Sequence, residues 1–218
     1  MITIDQLSGF LAMHAGFRTE FGRLAQAARA PRDHEHAALI EEQVALVLDI
    51  LHAHHHHEDE VLWPFLITQQ ADSADVLHAL EAEHVDLDRL ITQVSDTSVP
   101  LPGRADALAE LHDFVNRHLD HEERDAVPLL LRFMTQEMLD SDRRKATAEI
   151  GRRRIATVYP WIASCLDDQQ LEKAIADLPR LVRILFRRFW WPAYQRRMTA
   201  LYGPAVGPAS LALATVRS

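Results

Sequence analysis

Residues 54–64 read HHHHEDEVLWP, and residues 118–128 read HLDHEERDAVP. When the two stretches are aligned from their first residues, four positions match: His54 and His118, His57 and His121, Glu58 and Glu122, Pro64 and Pro128. Helix periodicity alone does not require identical residues at matching places. The repeat therefore predicts two halves related by an approximate two-fold axis, each with one copy of the same chemical unit.

That chemical unit is His-x-x-x-Glu. Side chains four residues apart project from the same face of a helix, so the imidazole and the carboxylate of each copy can approach one ion. Two more histidines, His14 and His84, lie within apolar stripes at helical spacing. Imidazoles and carboxylates are costly to bury together without a metal ion. We therefore predict six metal ligands: His14, His54, Glu58, His84, His118 and Glu122.

Apolar periodicity predicts four helices, over about 4–30, 33–69, 74–95 and 104–139. Their short connections favour an all-α, antiparallel up-down-up-down four-helix bundle over residues 1–140. From the rise of a helix, His54, His84 and His118 are expected at a similar height, whereas His14 is expected several ångströms away from it. Pro64 and Pro128 lie inside predicted helices and are expected to kink or end them.

The number and type of the donors favour two ions rather than one. Structural zinc sites close at four ligands, and six candidate donors exceed that number. Carboxylates that can bridge suit pairs of iron or manganese ions. We therefore expect two ions bridged by Glu58 and Glu122.

Residues 10–135 resemble the hemerythrin-like, HHE cation-binding domain. The resemblance rests on the following residues: His14, His54-x-x-x-Glu58 with Leu62-Trp63-Pro64, Glu83-His84, and His118-x-x-x-Glu122-Glu123 with Pro128. It implies a non-heme centre of two iron ions with an oxo or hydroxo bridge. It also implies an open coordination position for a small ligand such as hydrogen peroxide, dioxygen or nitric oxide.

The sequence departs from the oxygen-carrying members of that family in the third helix. Those members have a second histidine four residues before the helix-3 histidine, and here Leu80 occupies that position. Glu81 is an alternative ligand there. His57 and His121 are either further ligands or groups around the site and at the surface. Fewer fixed imidazoles leave the centre more open, which favours peroxide, nitric oxide or redox chemistry over reversible oxygen carriage.

The remaining candidates are expected to lie outside the site. The histidines expected at the surface are His34, His36, His52, His55, His56, His78 and His112. The single cysteine, Cys165, excludes an intramolecular disulfide. It is predicted to be a small buried apolar residue, with a redox thiol as the alternative.

The charge of the chain is divided between two parts. From residue 143 onward there are 14 Lys and Arg against 5 Asp and Glu, and before it 9 against 27. All 13 histidines lie in the acidic part, which argues against nucleic acid as its partner. The chain has neither the pattern of a signal peptide at its start nor a long apolar run. We therefore expect a cytoplasmic protein, with membrane association unlikely.

Residues 141–203 are predicted to form a basic C-terminal helical extension, and residues 204–218 a flexible tail. Within the extension, residues 180–191 are basic and aromatic. We expect this segment to dock on the acidic bundle, where it would cover its tryptophans and control access to the metals. An anionic membrane surface and a contact in a homodimer are the alternatives.

The function predicted from the sequence is that of a di-iron protein that binds or turns over a small oxidant, with catalase-like or peroxidase-like activity left open. One alternative is a non-enzymatic sensor or carrier of oxygen, iron or redox state that signals through the C-terminal helices. Another is a metal buffer that uses the surface histidines.

Overall fold

The computed structural model describes residues 1–176 and 178–204, and every regular element within these ranges is a helix. The predicted all-α class is therefore confirmed. The predicted flexible tail lies outside the described residues except for residue 204. The elements are α1 (Ser8–Arg29), α2 (His34–His57), the π-helical turn π1 (Glu58–Leu62), α3 (Trp63–Gln69), a 3-10 turn (Ala71–Ser73), α4 (Ala74–Ser95), α5 (Leu101–Asp125), α6 (Val127–Phe133), α7 (Gln136–Ser164), α8 (Asp168–Ala176), α9 (Arg180–Leu185), the π-helical turn π2 (Phe186–Trp190) and α10 (Trp191–Tyr202).

Four long helical rods precede residue 134: α1, α2 continued by π1 and α3, α4, and α5 followed by α6. α1 packs on α5 and α2, and α4 packs on α5. The fourth helix was predicted to continue to residue 139. The fourth rod instead ends at Phe133, and residues 136–139 belong to α7. The up-down-up-down order of the rods and the division of the chain at residue 140 stay predictions.

The two repeated prolines have different effects on their helices. Pro64 has no N–H to donate to the preceding turn, and the backbone before it widens into π1, so the rod continues to Gln69. α5 ends at Asp125, three residues before Pro128, and α6 begins at Val127. Glu58, one of the predicted bridging carboxylates, is the first residue of π1.

Two apolar clusters lie on either side of a polar layer in the bundle. One cluster contains Leu7, just before α1, and Leu80 of α4, and the other contains Phe17 of α1 and Leu87 of α4. Along the chain, His14, His54 and His84 each lie between residues of the two clusters, whereas His118 lies beside Leu119 at the edge of the second cluster. The Nε2 atom of His14 lies 3.1 Å from that of His54, so these side chains meet despite the offset expected for His14.

The C-terminal extension shares one of these clusters. Trp161 of α7 is 1% exposed, and its ring centroid lies 5.4 Å from that of Phe17. Polar contacts join α10 to the bundle as well, because the hydroxyl of Tyr202 donates to the buried Glu20 at 2.9 Å. The extension is thus joined to the bundle by a common core.

The Trp161 and Tyr202 contacts lie on α7 and at the C-terminal end of α10, and the aromatic residues of segment 180–191 pack mainly within the extension. Trp190 and Trp191 are half-buried and pack around Phe186 in a separate cluster of the extension. Phe189 is 59% exposed. None of the helices in the described ranges is both long enough and apolar enough to cross a membrane.

Candidate metal centre

Seven side chains with metal-binding groups meet in the polar layer, and each is at most 7% exposed. They form two groups, in each of which the candidate ligand atoms all lie within 4.8 Å of one another. The first group is His14, His54, Glu58 and Glu122, and the second is His55, His84 and His118. The six predicted ligands are all among them.

The imidazoles are arranged as two matching pairs. The Nε2 atoms of His14 and His54 are 3.1 Å apart, and those of His84 and His118 are also 3.1 Å apart. Each pair joins a histidine of one rod to the repeat histidine of another. The equal distances agree with the approximate two-fold symmetry predicted from the repeat.

The two carboxylates lie between these pairs. Glu58 has Oε1 3.1 Å from Nε2 of His54 and Oε2 3.7 Å from Nε2 of His84. Glu122 has Oε2 3.6 Å from Nε2 of His14 and 3.9 Å from Nε2 of His118. Each carboxylate is thus within reach of both imidazole pairs, which is the arrangement that bridging ligands require.

Three acidic residues orient three of the imidazoles. Nδ1 of His14 donates to Glu123 at 2.9 Å, and Nδ1 of His84 donates to Asp59 at 2.8 Å. Asp59 directly follows Glu58, and Glu123 directly follows Glu122. These two acidic residues therefore occupy matching positions in the two repeat copies.

Nδ1 of His118 donates in the same way to Glu83, at 2.8 Å. Because a carboxylate can only accept, Nδ1 carries the proton in all three imidazoles. The lone pair of each Nε2 therefore points into the centre.

The pocket disfavours isolated charge. Burial and the nearby His118 lower the pKa of His84 to about 3, and burial and the nearby His14 hold the pKa of His54 well below its usual value. Burial and the charge of Glu122 raise the pKa of Glu58 well above its usual value. Nitrogen lone pairs that face each other beside two carboxylates need a positive charge between them, and a metal ion supplies it.

The donor set fits metal ions. All four carboxylate oxygens of Glu58 and Glu122, and Nε2 of His55, are buried without a hydrogen-bond partner among the described residues. Two nitrogens bound at about 2.1 Å and at right angles lie about 3.0 Å apart, close to the spacing of each imidazole pair. Imidazole together with carboxylate suits first-row transition metals, iron among them.

The three secondary candidates lie in neither group of ligand atoms. Glu81 is exposed. His57 is partly buried, and its Nε2 lies 3.7 Å from Asp142. His121 donates from Nδ1 to Glu83 at 2.7 Å, so it fixes the carboxylate that orients His118.

Two histidines expected at the surface are buried. His55 is 5% exposed, and its ring stacks on that of His84 with the centroids 4.1 Å apart. His36 is 7% exposed, and its Nε2 lies 2.8 Å from the backbone oxygen of Leu201 in α10. The expectation of exposure was wrong for both, and each has a structural partner.

Replacing Glu83 by glutamine is expected to weaken metal binding about 10- to 100-fold, the usual effect of removing a group that orients a ligand. Glu83 accepts from both His118 and His121, whereas an amide cannot accept from both with the same geometry. Competition with a chromophoric chelator measures the affinity. Glu81→Gln, an exposed change of the same type on the same helix, is the control. Equal affinities for the two variants would contradict the role of Glu83.

Comparison with protein families places the chain in a known group. The family model for the hemerythrin HHE cation binding domain matches residues 6–130, which is more than half of the chain and includes all seven side chains of the centre. Comparisons with curated proteins and with solved structures found no match. The chain belongs to the hemerythrin HHE cation-binding family.

Proposed function

From membership of this family and from the donor set, we propose a non-heme di-iron protein that binds or turns over a small oxidant: hydrogen peroxide, dioxygen or nitric oxide. His14 and His54 would hold one ion, His84 and His118 the other, and Glu58 and Glu122 would serve both. The observation that carries this proposal is the two pairs of facing Nε2 atoms beside carboxylate oxygens that have no hydrogen-bond partner among the described residues.

The surroundings of the centre support a ligand of only a few atoms. The ring centroid of Phe10 lies 4.4 Å from that of His14 and 5.3 Å from that of His54. Phe17 covers His54 at 5.6 Å. Because these rings and the two apolar clusters enclose the layer, a bulky organic substrate would have to displace them. Bound iron would supply the ferrous–ferric redox change.

The residues of the chain have separate tasks in this proposal. Asp59, Glu83 and Glu123 keep the Nδ1 protons of their histidines in place, which leaves each Nε2 free to bind. The apolar clusters exclude water, so the charge of the ions is poorly screened and the carboxylates bind them strongly.

Metal analysis of the untagged protein tests this proposal first. We expect two iron ions per chain by mass spectrometry, as in other di-iron bundles, together with near-ultraviolet charge-transfer absorption. The loaded protein is then mixed with excess hydrogen peroxide, and its consumption is followed over many equivalents. A single zinc ion, or no metal at all, would overturn the di-iron proposal.

A non-enzymatic sensor is the second candidate function, and one contact favours it. The ring of Phe17 contacts both His54 of the centre and Trp161 of α7, at centroid distances of 5.6 Å and 5.4 Å. A movement of His54 on ligand binding would therefore reach the C-terminal helices. A sensor binds its ligand stoichiometrically with a change in tryptophan fluorescence, whereas an enzyme consumes the excess.

A further inference from the structure

Exposed apolar side chains cluster on one short segment of the extension. Eight large hydrophobic residues are exposed in the described part of the chain, and three of them lie within nine positions: Leu181, Ile184 and Phe189, at 69%, 52% and 59% exposure. Pro192 has no N–H to donate, and the backbone before it widens into π2. Within this turn Phe186 is fully buried, whereas Phe189 faces the solvent. The fold therefore leaves apolar surface available on α9 and π2.

Arginines accompany these apolar side chains. Arg180, Arg187 and Arg188 are exposed in the same segment. Residues 178–203 contain six arginines and no acidic residue, whereas the chain before residue 143 has 9 Lys and Arg against 27 Asp and Glu. An acidic partner is thus attracted to the extension and repelled by the bundle. We call the six exposed residues of the segment the α9–π2 surface: Arg180, Leu181, Ile184, Arg187, Arg188 and Phe189.

Aromatic side chains lead from this surface toward the interior. Trp191, which directly follows π2, stacks on Tyr194 with the ring centroids 5.6 Å apart. The hydroxyl of Tyr194 lies 2.7 Å from Oγ of Ser164. This serine hydroxyl donates to the backbone oxygen of Trp161, also at 2.7 Å. The half-buried Trp191 is thus connected by close contacts to the buried Trp161.

The remaining contacts reach the candidate metal centre. The ring centroid of Trp161 lies 5.4 Å from that of Phe17, which lies 5.6 Å from that of His54. These separations are those of aromatic rings in contact. The probability of electron tunnelling falls exponentially with distance and is higher through packed side chains than across gaps. Tryptophan and tyrosine are also the most easily oxidised aromatic side chains, so these contacts provide a route for single electrons.

We propose that the α9–π2 surface docks an acidic one-electron carrier protein, whose electrons reach the metal centre through Trp191, Tyr194 and Trp161. This inference rests on the proposed function and deepens it, because reduction of an oxidant needs an external source of electrons. Reduction of one hydrogen peroxide molecule takes two electrons from two reduced carriers and two protons from the solvent. The O–O bond breaks and two water molecules form. Redox proteins dock through small interfaces, below about 1,200 Å² of buried surface, and complementary charge guides their encounter. Three apolar side chains among arginines match such an interface.

Docking is measured first, by calorimetric titration of the untagged full-length protein as isolated, whatever metal it holds. The probe is oxidised plant-type 2Fe–2S ferredoxin, an acidic one-electron carrier that gives up no electron in this state. We expect a complex at about 10 mM ionic strength that weakens at least about tenfold at about 300 mM, because salt screens exposed charges.

A charge-reversal variant isolates the contribution of the surface. Arg180→Glu combined with Arg188→Glu is expected to weaken binding at least about tenfold at low salt. The matched control, Arg89→Glu combined with Arg117→Glu, makes the same change in net charge at exposed positions of the bundle. This control is expected to bind ferredoxin nearly as the wild type does.

Electron delivery is measured by mixing reduced ferredoxin with the iron-loaded protein and excess hydrogen peroxide in a stopped-flow spectrometer. Trp191→Leu is expected to bind oxidised ferredoxin but to lose most of the rate at which the reduced form is oxidised. Trp190→Leu removes the neighbouring half-buried tryptophan and is expected to keep that rate. Trp191→Phe fills more of the same space with a ring that is harder to oxidise, and it replaces the leucine variant if circular dichroism shows that the latter does not fold.

Each outcome bears on one part of the proposal. Absence of ferredoxin binding at low salt, or equal binding by the charge-reversal variant and its control, would overturn the docking surface. Binding to phosphatidylserine vesicles in place of ferredoxin, or dimerisation, would overturn it as well if the charge-reversal variant abolished that association. Equal rates in the Trp191 and Trp190 variants would overturn the electron route. Absence of iron from the wild type would instead overturn the proposed function, since the docking measurement does not depend on the metal.

Discussion

Replacing both Glu58 and Glu122 by glutamine is expected to abolish metal binding and at the same time to stabilise the metal-free fold. The two carboxylates are 0% exposed, and their oxygens have no hydrogen-bond partner among the described residues. Burial and mutual repulsion make them unfavourable without a cation, as the raised pKa of Glu58 reflects. Glutamine has nearly the same shape and no charge, so the variant loses the proposed bridging ligands and the repulsion together.

Thermal unfolding with and without a chelator measures both effects. A ligand present at 1,000 times its dissociation constant stabilises a fold by about 4 kcal/mol, and that corresponds to about 10 °C for a chain of this size. We expect removal of iron to lower the melting temperature of the wild type by at least this much. The double variant is expected to hold no iron, to be unaffected by the chelator, and to melt a few degrees above the metal-free wild type.

The matched control removes two exposed carboxylates instead. Glu60 and Glu81 are both exposed, so their double replacement by glutamine makes the same change in net charge without touching the centre. This control should bind iron and respond to the chelator as the wild type does. Retention of two iron ions by the Glu58 and Glu122 variant would show that the ions lie elsewhere.

The repeat made four of the predicted ligands recognisable, because one constant shift along the chain relates His54, Glu58 and Asp59 to His118, Glu122 and Glu123. The same shift aligns His55 with Leu119 and could have predicted that His55 is buried. Leu119 is apolar and lies between His118 and Glu122 on the inner face of α5, so position 55 had to face inward as well. A run of four histidines suggested a solvated surface, but the residues three and four places after Leu51 both turn toward the core of a helix bundle. Glu81 is exposed for the same geometric reason, since Leu80 occupies the inner face.

The docking of the extension could not be derived from charge patterning. Complementary charges pointed to residues 180–191, whereas the ion pairs that join the extension to the bundle link Arg154 of α7 to Asp49 and Arg197 of α10 to Glu42. Apolar side chains of α7 and the residue after it also contact the bundle, at a site where α1 has a glycine. A Cβ added at Gly16 would collide with Sγ of Cys165. Such a close approach depends on the exact register of two helices far apart in the sequence, and no local pattern encodes it.

Replacing Trp161 by alanine is the most destabilising single substitution that we expect, because it opens a cavity where α7 meets the bundle. Truncation of a buried tryptophan costs about 3–5 kcal/mol, which lowers the melting temperature by about 10 °C in a protein of this length. Differential scanning calorimetry of the iron-loaded protein measures the change. Phe189→Ala removes an aromatic side chain that is 59% exposed and is expected to stay within about 0.5 kcal/mol of the wild type.

The same variant reports on the coupling between the extension and the metal centre. The ring of Phe17 contacts both Trp161 and His54, so the loss of Trp161 loosens the ring that packs on His54. We expect the variant to bind its full complement of iron but to release it faster to a chelator, since His54 can then move more readily. An unchanged release rate with a lowered melting temperature would mean that α7 stabilises the fold without acting on the centre. That result would remove the observation that favours a sensor and leave the small-oxidant enzyme as the better-supported function.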